Sequence, residues 1–192
     1  MKTPKIIFRY SWVYDQNWKE WIKLYPRMAA MSYPEEEETK KAIKKIQKLW
    51  RKKEKVILSE IAKIVGQEWQ EKEITCYVVG KARGFSDPLT IGIKKNDPEF
   101  SVDTLIHELI HQIFLQNEDK KSVENMLKKL EKDYPTESRA TRIHIVVHAV
   151  HKKIYLKFFS QKRLDLDKWR CEKNPEYKKA WEIVDRDGYL EK

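Results

Sequence analysis

The chain has 192 residues, of which 41% are hydrophobic and 11% aromatic, a composition that excludes wholesale disorder and suits one domain with its own core. Lysine and arginine exceed aspartate and glutamate by ten, which gives a formal net charge of +10. The lysines are spread between apolar residues at helical spacing, and this favours solvated helix surfaces over a concentrated nucleic-acid site.

The first part of the chain predicts a strand followed by two helices. Residues 4–12 alternate apolar and polar side chains, as a half-buried strand does. Apolar residues recur at helical spacing over residues 18–25, which indicates a short helix. Ser32 and Glu35 form a capping-box pattern, and an apolar stripe then continues to Gly66, so we expect one long helix.

Two strands and several helices are predicted next. The β-rich runs at residues 73–80 and 89–95 are separated by the turn-rich sequence KARGFSDP and predict a pair of strands. The last helical segment has Asn174 as its N-cap, Pro175 in its first turn and Gly188 after its end. The later helices are expected from residue 101 onward and across residues 123–130, 137–159 and 174–188.

This order of elements predicts an α+β fold. A small sheet of about three strands would be backed by the long helix, with the helix at residues 103–114 along its other side. We expect a single domain over residues 1–192, because no linker or internal repeat divides the chain. No apolar run has the length of a signal peptide or of a membrane span, so we expect a cytoplasmic protein without a membrane partner.

The strongest chemical signal lies at residues 103–114, which read DTLIHELIHQIF. His107 and His111 lie four residues apart and therefore on one face of a helix, where both imidazoles can reach one ion. Glu108 is rotated by about 100° from His107, so it can reach a water on the metal without displacing a ligand. The pattern predicts a zinc site with its own general base. The alternative is a pair of histidines that lie by chance on an amphipathic helix.

A catalytic zinc ion needs a third protein ligand and an open position. A later helix carries a polar stripe on an otherwise apolar surface, and a stripe that faces the core needs a partner such as a metal. The alternative is a stripe that faces water, which suits His151 beside its lysines and is conceivable for His148. The stripe consists of Glu137, Thr141, His144, His148 and His151.

HELIH followed by a helix that carries ESRAT resembles the gluzincin metallopeptidases. The resemblance implies one zinc ion per chain, bound by His107, His111 and Glu137. It also implies that Thr141 braces a ligand histidine. The chain departs from the family pattern in the long spacing between His111 and Glu137, and in a threonine where many members have aspartate. His144 therefore stays open as the alternative third ligand.

The elements before HELIH are similar to the upper lobe of the zincin fold, in which an edge strand binds substrate in extended form. In size and make-up the chain resembles the minigluzincins, which are minimal soluble archaeal relatives of membrane metallopeptidase catalytic domains. A zincin-like chain would have its upper lobe at residues 1–117, its lower lobe at 118–164 and a helical extension at 165–192. The residues implied to bind substrate are Leu89, Thr90, Ile91 and Gly92.

The implied function is hydrolysis of peptide bonds by a zinc-bound water, with Glu108 as the general base and a peptide or protein as substrate. A further donor should stabilise the oxyanion, and His144, His148 and Tyr155 are the catalytic candidates for that role.

Two alternatives remain for the function. One is a latent or non-catalytic metal-binding protein whose C-terminal tail covers the cleft through Trp169, Tyr177 and Trp181, although burial in the core is the simpler role for these aromatics. The other is a basic nucleic-acid-associated protein with a structural zinc ion, which is not favoured and predicts binding that depends steeply on salt. Self-association to a homo-oligomer also stays open.

Overall fold

The computed structural model describes residues 2–190. It is an α+β structure with a small mixed sheet of four strands, so the predicted class is confirmed. The chain divides into two compact units, Met1–Leu58 with Glu71–Gln112 and Ser59–Gln70 with Ile113–Lys192. The helices along the described chain are α1 (Trp12–Trp21), a 3-10 helix (Ile22–Leu24), α2 (Pro26–Ala29), α3 (Glu36–Arg51), α4 (Glu54–Val65), α5 (Pro98–Leu115), α6 (Lys121–Asp133), α7 (Arg139–Phe158), α8 (Gln161–Cys171) and α9 (Pro175–Asp187).

The sheet lies in the first unit and has the order β1–β2–β4–β3. β1, β2 and β4 run parallel, and β3 pairs antiparallel with β4. On β2 the alternate residues Ile74, Cys76 and Val78 are buried, as period-two alternation predicts. The sheet has one more strand than expected, because the two-residue β3 forms within the segment that we predicted as a turn. The strands are β1 (Lys5–Arg9), β2 (Glu73–Val79), β3 (Phe85–Ser86) and β4 (Leu89–Gly92).

The predicted long helix is in fact two helices, α3 and α4. Glu54 Oε1 accepts a hydrogen bond from the Ile6 N–H group at 2.9 Å, and Arg51 Nη2 donates to the Ile6 carbonyl at 3.4 Å. The break between the helices lets both side chains reach the outer backbone edge of β1, which is the terminal strand of the sheet within residues 2–190. The prediction of one helix is therefore wrong, because contacts with β1 decide where the chain turns. The first of the two helices also begins at the N-cap Glu35 rather than at Ser32.

The second unit is helical. Helices α7 and α9 pack against each other and bury Trp181 and Val184. The predicted ends of α9 are confirmed, since Asn174 Oδ1 accepts hydrogen bonds from the first turn and Gly188 follows the helix with a φ of 62°. Helix α8 was not predicted as a separate element. No helix within residues 2–190 has the length and apolar character needed to cross a membrane.

Candidate metal centre

Helix α5 brings His107 and His111 together. Ile106 and Ile110 are fully buried on its apolar side, while the two histidines are half-buried. The Nε2 atoms of the two histidines are 3.3 Å apart. Two nitrogens that bind one tetrahedral zinc ion at about 2.0–2.1 Å are themselves about 3.3–3.4 Å apart. The helix is confirmed, and the spacing of its two imidazole nitrogens fits a shared zinc ion.

Glu108 lies between these histidines in sequence and is only 7% exposed. Burial raises the pKa of its carboxyl group to about 8. A carboxyl group that titrates near neutral pH is suited to taking up and releasing a proton, and a nearby cation would lower the pKa again. Gly84 lies against this carboxylate, since a Cβ atom at Gly84 would be 2.3 Å from Glu108 Oε1. Sequence reasoning missed Gly84, whose only signal is a glycine within a turn-rich segment.

The polar stripe on α7 is buried within the second unit. Its members between Thr141 and His151 are at most 8% exposed. The alternative of a stripe facing water is therefore wrong for these residues. His151 was the residue that best suited that alternative, yet it is 1% exposed and its Nδ1 atom is 3.6 Å from Asp167 Oδ2. The buried members are Thr141, His144, His148 and His151.

His144 has the tautomer of a metal ligand. Its Nδ1 atom lies 2.7 Å from the Ala140 carbonyl oxygen, so Nδ1–H donates there and Nε2 carries the lone pair. Burial lowers the pKa of His144, which favours the neutral ring that binds metals. A carbonyl that fixes the ring in this way is the usual companion of a metal-binding histidine.

Glu137 and Thr141 lie at the start of α7. Glu137 precedes the N-cap Ser138, and its Oε1 atom is 3.9 Å from Lys179 Nζ on α9. The Thr141 hydroxyl accepts a hydrogen bond from Ser138 Oγ at 3.1 Å. Both side chains therefore have neighbours within the second unit. The zinc ligation predicted for Glu137 and the bracing role predicted for Thr141 stay predictions.

Aromatic residues of α9 cover the histidine stripe. The Trp181 ring stacks on His148 at a centroid distance of 4.4 Å and an interplanar angle of 9°. The Tyr177 ring lies 4.0 Å from the ring of His144. Trp181 thus belongs to the core of its unit, whereas Trp169 is 56% exposed. The oxyanion role predicted for His148 and Tyr155, both fully buried, stays a prediction.

The strand predicted to bind substrate does not lie at the edge of the sheet. β4 lies between β2 and β3, and Thr90 pairs with Tyr77 on one side and with Phe85 on the other. The prediction of an edge strand is therefore wrong, because β3 forms from the preceding loop and covers part of β4. The assignment of substrate binding to β4 is therefore not supported, since it depended on an exposed edge strand. The residues concerned, Leu89, Thr90, Ile91 and Gly92, are all buried.

The described residues thus include two imidazole nitrogens at the spacing of zinc ligands and a buried carboxyl group between them in sequence. Such a set can hold a divalent ion and move a proton. No protein-family model, curated protein or solved structure matches the chain. A functional proposal therefore depends on the chemistry of these side chains.

Proposed function

We propose that the chain is a zinc-dependent metallopeptidase of the gluzincin type, in which His107 and His111 bind the ion and Glu108 is the general base. The observation that carries the proposal is the 3.3 Å separation of the two Nε2 atoms, which is the distance expected between two ligands of one zinc ion. A buried glutamate directly after the first histidine is the residue that the H-E-x-x-H pattern requires as base.

His144 is the third ligand in this proposal. The hydrogen bond from His144 Nδ1 to Ala140 leaves the lone pair on Nε2, as ligation requires. Glu137 stays the rival third ligand, because the gluzincin resemblance points to it.

A bound zinc ion supplies Lewis acidity to a carbonyl group and to a water molecule. Glu108 takes up a proton from the attacking water at its carboxylate and then donates it to the leaving amine of the cleaved peptide. Its buried position supports the second step, because desolvation favours the protonated form of a carboxyl group. With His144 as a ligand, His148 and Tyr155 remain the candidates for stabilising the oxyanion.

The order of elements also supports a zincin-like fold, since a small sheet precedes the HELIH helix and helices follow it. The edge strand beside β4 is β3, and Phe85 is 46% exposed there. An extended peptide or protein substrate therefore docks along β3 in this proposal, in place of β4.

Replacement of Glu108 by glutamine tests the proposal. We expect zinc-loaded Glu108→Gln to lose hydrolysis of a fluorogenic peptide library while it keeps the zinc content of the wild type, because only the proton acceptor is removed. Glu99→Gln is the matched control, since Glu99 is an exposed glutamate on the same helix. Hydrolysis that survives in Glu108→Gln would exclude Glu108 as the base.

A further inference from the structure

The segment between β2 and β3 is held closely at its first residues. The Gly80 N–H group donates a hydrogen bond to Asp15 Oδ1 at 2.7 Å, and Asp15 is 2% exposed. A Cβ atom at Gly80 would lie 2.5 Å from the Tyr33 ring, and one at Gly92 would lie 2.5 Å from the Ala82 nitrogen. The backbone of this segment therefore approaches its neighbours too closely for either glycine to carry a side chain.

The other end of the segment is tied to helix α5. Gln112 is 7% exposed, and its Nε2 atom donates a hydrogen bond to the Ser86 carbonyl. Gln112 lies four residues after Glu108 and therefore on the same face of the helix. One end of the segment is thus held by Asp15, and the other end by helix α5, which carries the proposed base Glu108.

Gly84 lies between these two attachments and faces Glu108. A Cβ atom at Gly84 would be 2.3 Å from Glu108 Oε1 and 2.7 Å from Thr104 Cγ2. Positive φ angles among the glycines occur at Gly66 and Gly188, and not at Gly84. A side chain at residue 84 would therefore force the Glu108 or Thr104 side chain to shift, so space and not backbone conformation favours glycine at this position.

We propose that Gly84 is a positioning residue, whose backbone forms the wall that holds the Glu108 carboxylate in place for proton transfer. The inference depends on the proposed function of Glu108. In this proposal, the segment from Gly80 to Ser86 limits the side-chain conformations that Glu108 adopts. A side chain at residue 84 displaces the carboxylate, and displacement of a reacting group by about 1 Å costs on the order of a hundredfold in rate.

The first test compares zinc-loaded wild type with Gly84→Ala on the fluorogenic peptide library. We expect kcat to fall about 100-fold, with KM and the zinc content unchanged, because only the base is displaced. Gly66→Ala is the matched control, since a Cβ atom there meets nothing within 4 Å although the φ of +69° destabilises it. Its activity per folded molecule should equal that of the wild type. Unchanged kcat in Gly84→Ala would overturn the inference.

The second test measures thermal unfolding and does not require activity. Glu108→Asp shortens the side chain and makes room for a Cβ atom, so Gly84→Ala should lower the melting temperature less in that background than in the wild type. Thr104→Ser removes the other close atom and serves as the comparison. Equal effects of Gly84→Ala in the wild-type and Glu108→Asp backgrounds, or relief by Thr104→Ser alone, would overturn the inference. An inactive zinc-loaded wild type would instead refute the proposed function.

Discussion

At the scale of single residues, the burial of Glu108 decides the pH range in which its carboxyl group holds a proton. Burial raises the pKa of this carboxyl group from an ordinary 4.5 to about 8 in the metal-free chain. At a pH below 4.5 the carboxyl group is protonated in both the folded and the unfolded chain. At a pH between 4.5 and about 8 it is protonated in the folded chain only. The unfolded state is therefore favoured progressively as the pH rises through this range.

Metal-free wild type should accordingly lose stability between about pH 5 and pH 8, by an amount on the order of 5 kcal/mol at most, and then level off. Glu108→Gln cannot ionise, so its unfolding free energy should lack this decline and should exceed that of the wild type at pH 8. Urea unfolding at several pH values in the presence of a chelator measures the difference. A decline in Glu108→Gln as steep as in the wild type would assign the pH dependence to other groups.

At the scale of elements, the packing of α9 on α7 explains why the histidine stripe is buried. Trp181 is 4% exposed and stacks on His148, and Ile183 and Val184 are 1% exposed on the same helix. The C-terminal extension is thus part of the core of its unit. The alternative in which a removable tail covers the cleft loses support, because removal of residues 165–192 would expose this core.

Trp181→Ala should destabilise the chain by about 3–5 kcal/mol, since it removes a large buried ring and leaves a cavity against α7. Trp169→Ala is the control of the same chemistry, because Trp169 is 56% exposed, and its effect should stay within about 0.5 kcal/mol. Chemical denaturation monitored by circular dichroism compares the two variants. Equal losses in both would mean that α9 does not contribute to the core in this way.

At the scale of the whole molecule, the net charge of +10 predicts weak attraction to any polyanion. Four lysines line one cavity of about 190 Å³ in the first unit, namely Lys41, Lys45, Lys94 and Lys95. Two of these lysines already pair with acids, since Lys94 lies 3.3 Å from Asp97 and Lys95 lies 3.2 Å from Glu38.

Binding to a DNA duplex should therefore be detectable at low salt, show no sequence preference and be lost near the physiological ionic strength of about 0.15 M. Fluorescence anisotropy of a labelled duplex at increasing salt measures this. Tight binding that persists at about 0.15 M salt would favour the nucleic-acid-associated alternative.

Local signals in the sequence were enough to predict much of this molecule. The α+β class, the ends of α9 and the shared face of His107 and His111 follow from periodicity and capping residues, which act within one element. These are the features for which each residue's neighbours in sequence decide the structure.

Features that depend on distant contacts were not predictable. The break before Glu54 depends on the backbone of Ile6, and the interior position of β4 depends on the two-residue β3. The close fit around Gly84 depends on Glu108, which lies on another element. In each case a residue remote in sequence decides the outcome, and neither periodicity nor a capping pattern reports it.

Metal content tests the central claim most directly. Dialysed wild type, His144→Ala and Glu137→Ala would be supplied with zinc and measured by plasma mass spectrometry. Because His144 is proposed as the third ligand, we expect about one zinc ion per chain in the wild type and in Glu137→Ala, and much less in His144→Ala. Zinc that survives in His144→Ala and is lost in Glu137→Ala would transfer the third ligand to the glutamate. A wild type that binds no zinc would contradict the metal centre itself.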